Sequence, residues 1–567
     1  MVGRFLRLFL AMLVCQVVIL GLGFFLVAAM FVSREGGAPV VHPHSTLWLQ
    51  ISGDVVEYNT LPTVPFLNDP APSQTALIEA LDHATQDKHI ESALVDLDFA
   101  ALGWGMAEEL RAAIARFRAA GKPVFAFGPV LDEGSYYVAA ACDSIYLPPQ
   151  GKLALNGLAM EALYYKGLMD KVGVHANFHR IGAFKSAVEE YTRDKMSEPA
   201  RRNAGWLLDD LWGEFRDTVA RDRKLGPGAI DEIIALGTLQ PEEAIDAKLI
   251  DDVRYRQDLE DSFRDENGDS RLVTVSEYAK ATKSSARGGP AIAVVHTAGF
   301  ILSGKNGYNP SVGTTLGDES VLRDLQDAID DDDVKAIVLR IDSPGGEVMA
   351  SDNIGNAVAR AMEEKPVVVS MVDVAASGGY MMAYRASRIV ALPNTITGSI
   401  GSFTGKFNLH GLYSKLGLTK EFVTRGSYPL IDSDYSDWSA SEESLIVRQH
   451  WEDYGAWIDD IATSRKMESA AVDSVARGRV WTGRQALDRK LVDELGDLRH
   501  AVEIASTLAD LPRDAKPRLV HYPKPMGLFD VIEDRSELLS AAAAHWARGA
   551  LLPKGASFSV LDMHIAH

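Results

Sequence analysis

The chain of 567 residues is 47% apolar and 24% charged, a globular composition, and it is too long for one ordinary domain. Its 78 acidic and 57 basic side chains leave a formal charge of −21, which argues against a nucleic-acid partner because phosphate backbones need a basic surface. The two cysteines are Cys15, inside an N-terminal apolar run, and Cys142, inside YYVAAAC, so the rest of the chain has no internal disulfide and must stand on its core.

Residues 1–7 carry Arg4 and Arg7 and precede 25 residues, Leu8 to Val32, whose one strongly polar member is Gln16. As a helix this run is about 37 Å long, enough to span a hydrocarbon core of about 30 Å. It predicts a transmembrane anchor over 8–32, and the positive-inside bias puts 1–7 in the cytoplasm and the remainder outside. The rival is a cleaved signal peptide, whose apolar region is normally shorter. Residues 33–45 read as a linker.

Two similar halves follow. Leu47–Ile51 predicts the first strand, Ala291–Val295 predicts a second start of the same kind, and Lys280–Pro290, KATKSSARGGP, is the linker between them. IESALVDLD at Ile90 recurs as VKAIVLRID at Val334, 244 residues later, and AIDAKLID at Ala244 recurs as ALDRKLVD at Ala486, 242 later. A register held over that distance marks a duplication. Within each half, helix-like segments alternate with short β-rich apolar runs, which predicts an α/β fold of βαβ units with a sheet buried on both faces. Amphipathic helices are expected over 203–223 and 448–465. The repeats are assigned to 46–279 and 291–515, and 516–567 to an extension without counterpart.

The chemistry is unevenly shared. Ser399 lies between Gly398 and Gly401 in PNTITGSIGS, and 244 residues earlier Leu155 stands in its place. Lys185, in RIGAFKSAVEEY, falls on Pro429 in the later copy. Serine acyl transfer needs a nucleophile on a tight backbone, a base, and N–H donors for the oxyanion. Ser399 is taken as nucleophile and Lys185 as base, with Ser377 of SGGY in reserve. Burial would bring the lysine into a useful titration range. Gly345 and Gly346, in DSPGG after a strand, are candidate oxyanion donors, and the earlier copy lacks that glycine pair. Among histidines His179 is the outsider, whereas His175, His296 and His521 read as packed and His450 as lying in polar surroundings. No G-x-S-x-G elbow, H-E-x-x-H or Cys/His cluster occurs, so no metal or cofactor is expected.

GAFKSAVEEYTRDKMSEPARRN, DSPGGEV, AASGGYMMA and PNTITGSIGSF, behind a membrane span, resemble the long, two-repeat form of signal peptide peptidase, the protease IV family. The resemblance extends from the span to about Leu511. It implies tandem Clp/crotonase-like repeats and a serine endopeptidase with a Ser399–Lys185 dyad and Gly346 as oxyanion donor. It also implies degradation of signal peptides left in the bacterial cytoplasmic membrane, with the bulk of the chain on the periplasmic side, and assembly as a homotetramer. A hydroxyl near the lysine is implied too, for which Ser427 and Thr424 are candidates. Two other readings are an acyl-CoA enzyme on a crotonase-like fold and a non-enzymatic membrane scaffold. The loss of one half-site from each repeat argues against the scaffold.

Overall fold

The computed structural model of the protein describes residues 39–59, 72–282, 289–512 and 516–524. The expected anchor at 8–32 and the cytoplasmic residues 1–7 lie outside them. Among the described residues no helix is long and apolar enough to cross a membrane.

Each half builds one parallel sheet in the same strand order. The first runs Asp252–Val253, Ser144–Leu147, Val124–Phe127, Ile90–Ala101, Ser45–Asp54 and Leu272–Thr274. The second runs Glu494–Leu495, Arg388–Ala391, Val367–Ala376, Val334–Ser343, Ala291–Ala298 and Arg518–Tyr522. Ile396–Gly398 joins the second sheet parallel to Val367–Ala376, and Val480–Thr482 pairs antiparallel with it.

The continuous apolar runs of the sequence are explained by burial on both faces. In Val334–Ser343, Ile337, Leu339 and Ile341 enter the main core of the second repeat, while Ala336 and Val338 face the helix Leu498–Leu508 on the other side. Cys142 is a free, buried thiol in the first core.

Three expectations are corrected. The long amphipathic helices begin earlier, at Glu198–Asp222 and Ala440–Arg465, because Ser197 and Ser439 accept N–H groups of their first turns and fix the starts ahead of the apolar periodicity. Residues 518–522, expected in an extension without counterpart, form the edge strand that matches Leu272–Thr274, and RLV occurs in both places, at 271–273 and 518–520. Lys280, expected to open the linker, lies in the helix Val275–Thr282.

The repeats share buried polar contacts. Arg340 of the second donates to Glu57 Oε1 at 2.6 Å and Glu109 Oε2 at 2.5 Å of the first, and to Ser370 Oγ at 2.8 Å, all in the interior. Asp373 of the second accepts the Met106 N–H at 2.9 Å at the start of the first repeat's helix Trp104–Ala119, whose N-cap Gly103 has no side chain to do so. Strand His175–Arg180 crosses over to pair antiparallel with Phe403–Asn408.

Candidate active site

The register of two neighbouring strands sets the site. Val367–Ala376 and Ile396–Gly398 run parallel with Ala376 opposite Gly398, so the residues that follow, Ser377 and Ser399, leave the sheet side by side. Both depart with positive φ, 56° at Ser377 and 49° at Ser399. Such backbones cost about 1–3 kcal/mol each and persist where surroundings over-determine them. Here the Ser377 N–H donates to Gly398 O at 2.9 Å and the Ser399 N–H to Arg479 O at 2.7 Å.

Lys185 arrives from the first repeat, in the turn after the crossing strand. Gly182 there has φ 94°, and a Cβ on it would sit 2.1 Å from Arg477 O, so the turn lies directly against the second repeat's Arg477–Gly478 corner. The Lys185 ammonium group is 2.9 Å from Ser377 Oγ, 3.0 Å from Ser399 Oγ and 3.1 Å from Ser399 O. Lys185 is 5% exposed, and among the described residues no carboxylate pairs with it. Burial alone pulls its pKa down to about 7.

The two serines differ in access. A cavity of about 300 Å³ opens over the lysine, walled by Lys185, Gly346, Ser377, Met381, Phe403 and Trp457. Ser399 is 2% exposed and lies off the wall, behind the lysine, with both oxygens turned to it. The structure therefore brings together Lys185, Ser377 and Ser399, but gives the open position to Ser377. Repeat comparison hid this, because Gly134 and Tyr136 preserve the neighbours of Ser377 in the first half and make its motif look structural.

The glycine turn abuts Ser377. A Cβ on Gly345 would lie 2.8 Å from Ser377 Cβ, and one on Gly346 would lie 2.0 Å from Ile301 O. Gly345 donates its N–H to Ser343 Oγ at 3.2 Å, so of the expected donor pair its N–H is engaged. Gly346 lines the cavity. Ser427 and Thr424 are exposed and neither bonds Lys185, and the hydroxyls that do are Ser377 and Ser399, so the two candidate partners are set aside. His179 is hydrogen-bonded to His450 and not to either serine.

In the first repeat Glu133 stands where the second has Ser377. Its carboxylate accepts the N–H groups of Asn156 at 2.5 Å and Gly157 at 2.6 Å, so that half-site is filled by the chain's own acid.

The family model for peptidase family S49 matches this chain twice, over 116–268 and 359–512. The chain belongs to peptidase family S49. This S49 chain is a serine peptidase, with the two family segments in its two repeats. It is 33% identical to "Serine protease SPPA, chloroplastic" of Arabidopsis thaliana over 458 residues, 79% of this chain and 68% of the relative. It is 35% identical to "Protease 4" of Salmonella typhi over 473 residues, 81% of this chain and 75% of the relative. A "Putative signal peptide peptidase SppA" of Enterococcus faecium is 31% identical over 186 residues, covering 33% of this S49 chain and 54% of the relative.

Proposed function

We propose that this S49 peptidase cleaves peptide bonds with Ser377 as nucleophile, Lys185 as general base and Ser399 as the group that orients the lysine. The observation that carries this reading is the placement of the buried Lys185 amine 2.9 Å from a serine that opens on the cavity and 3.0 Å from one that does not. The neutral amine has two N–H bonds and one lone pair. Ser399 O can only accept and Ser399 Oγ is held beside it, so together they take both N–H groups and turn the lone pair toward the Ser377 hydroxyl.

Lys185 then removes the Ser377 proton as Oγ bonds the substrate carbonyl carbon. The negative charge collects on the carbonyl oxygen, against the Gly346 N–H. Lys185 returns the proton to the leaving amine, breaking the C–N bond and leaving an acyl ester on Ser377. A water gives its proton to Lys185, attacks the ester, and the proton passes back to Ser377 Oγ as the acid product departs. Through all of this Ser399 holds the amine or ammonium in place.

The substrate class we assign is signal peptides left in a membrane, on the strength of the motifs quoted above and of the relative described as a putative signal peptide peptidase. The same reading gives the chain an anchor over 8–32 with its bulk on the periplasmic side of a bacterial cytoplasmic membrane, Clp/crotonase-like repeats and a homotetrameric assembly. The test is hydrolysis of a signal-peptide-like substrate by the full chain in detergent, with labelling by a phosphonylating probe. Loss of labelling in Ser377→Ala and its retention in Ser399→Ala support the assignment, whereas the reverse pattern returns the nucleophile to Ser399.

A further inference from the structure

Beside the lysine lies a second polar constellation that the hydrolytic steps do not use. Ser402, on the wall of the same cavity, has its Oγ 2.7 Å from His450 Nε2, and His450 Nδ1 is 2.8 Å from His179 Nδ1. The three residues come from three elements: the turn after Ser399, the helix Ala440–Arg465, and the crossing strand His175–Arg180 of the first repeat. His450 is 8% exposed, and its ring stands edge-on to that of His179 with centroids 5.0 Å apart. The Ser402 backbone is tied down as well, its carbonyl accepting the Ile181 N–H at 2.9 Å.

Hydrogen-bond accounting says what such a chain does. A link between two Nδ1 atoms needs one proton, so one ring donates and the other accepts. If His450 donates to His179, its Nε2 accepts the Ser402 O–H and the serine faces the cavity with lone pairs. If His450 accepts, its Nε2–H donates to Ser402 and the serine keeps its own O–H for the cavity. Either way the hydroxyl is held in place by one bond and retains hydrogen-bonding capacity for a ligand, as donor or acceptor. Its neighbours on the wall include the apolar Phe300, Val348, Met381, Phe403 and Trp457, and also Glu347, whose Oε2 accepts the N–H and hydroxyl of Ser303 at 2.9 and 2.5 Å.

We infer that Ser402, positioned by the His450–His179 pair, is a specificity-determining residue that makes this cavity a subsite for an uncharged side chain with an apolar body and a hydrogen-bonding tip, a hydroxyl or an amide. The inference rests on the assignment of the cavity as the peptide-binding site. A neutral hydroxyl of reversible polarity matches such a tip in either direction. It does nothing for a purely aliphatic side chain, which leaves Ser402 Oγ without its ligand partner, and it does not compensate the desolvation of a charged one.

Threonine and valine are close in shape and differ by the hydroxyl, so they read the contact directly. Peptides carrying Thr or Val at each of the four residues flanking the cleaved bond are compared with the full-length enzyme. At one position the Thr/Val ratio of kcat/KM is expected to be about five to ten, the value of one net hydrogen bond. The ratio is expected to fall to about one in Ser402→Ala and His450→Leu, and to survive in His450→Gln, whose amide can still reach the serine. A ratio between variants is insensitive to general damage, which lowers both peptides together. The same ratio read as Kd on Ser377→Ala needs no turnover. Turnover surviving Ser377→Ala overturns the nucleophile assignment and leaves this ratio readable. Equal handling of Thr and Val at every position, or a preference that persists in Ser402→Ala, overturns the subsite.

Discussion

The carboxylate of Asp373 in the second repeat accepts the backbone N–H of Met106 at the start of a first-repeat helix, at 2.9 Å. One repeat thus supplies the cap that the other lacks. Gly103 is the N-cap position, and a Cβ there would fall 1.9 Å from Asp373 Oδ2. Asp373→Ala removes the cap and is expected to cost about 1 kcal/mol. Gly103→Ala, which drives a methyl into the carboxylate, is expected to cost more. Because the methyl strikes Asp373 itself, the double variant is expected to be less destabilised than the sum, with a coupling of about 1–3 kcal/mol in denaturant unfolding. Strict additivity counts against the contact.

The titration of Lys185 predicts the pH profile of hydrolysis. Burial holds its pKa at about 7, below the ordinary lysine value of 10.5, and only the neutral amine can take a proton. The rate is expected to rise with pH through about 7 and then level, falling roughly tenfold per pH unit on the acid side. The same shift means that the unfolded chain binds the extra proton between about 7 and 10.5, so this group's contribution to stability grows as pH rises across that window. Lys185→Met should lose both the hydrolysis and that slope, as measured by kcat/KM and unfolding at pH 6 to 10. A profile centred near 10 in the wild type disproves the buried base.

Ser377 and Ser399 separate by what each loss leaves behind. Ser377→Ala removes the acyl acceptor and is expected to abolish both turnover and probe labelling. Ser399→Ala leaves the nucleophile but frees the lysine to rotate, and a misplaced base is expected to lower kcat by about 10²-fold with labelling retained at a slower rate.

Gly346→Ala tests the oxyanion turn. The added methyl would meet Ile301 O at 2.0 Å, so the turn has to move and its N–H with it. Removal of one such donor lowers kcat by about 10²–10³-fold. Peptide binding to the variant should change far less, and an equal loss in both would mean that the turn serves substrate binding only.

Arg340 is fully buried between two glutamates of the other repeat. Arg340→Met leaves Glu57 and Glu109 without their cation and is expected to destabilise the chain by about 3–5 kcal/mol. Adding Glu57→Gln and Glu109→Gln should recover a large part of the loss, seen as a rise in melting temperature over the single variant. No recovery would assign the loss to packing.

The sheets were legible in the sequence because strands buried on both faces read as unbroken apolar runs, and because the spacing of 244 residues repeats them in order. The starts of the long helices were less so, since Ser197 and Ser439 act through single hydrogen bonds that periodicity does not register. The edge strand Arg518–Tyr522 carries only a three-residue echo of its partner and pairs on one side. Lys185 could be found because its counterpart is proline. The choice between Ser399 and Ser377 could not, because both follow apolar strands into glycine-rich turns, and what separates them is access to the cavity, a property of the folded surroundings. His450 likewise read as lying in polar surroundings and is buried against Ser402 by the fold of a helix far along the chain.

The placement of Lys185 in one repeat and of Ser377, its partner in the proposed mechanism, in the other makes the chain a natural candidate for fragment complementation. A cut between Thr282 and Ala291 leaves each piece with its own core, yet one piece holds an amine with no hydroxyl to act on and the other a hydroxyl with no amine. Hydrolysis would then count correctly mated pieces and nothing else, so that the enzyme reports on its own assembly.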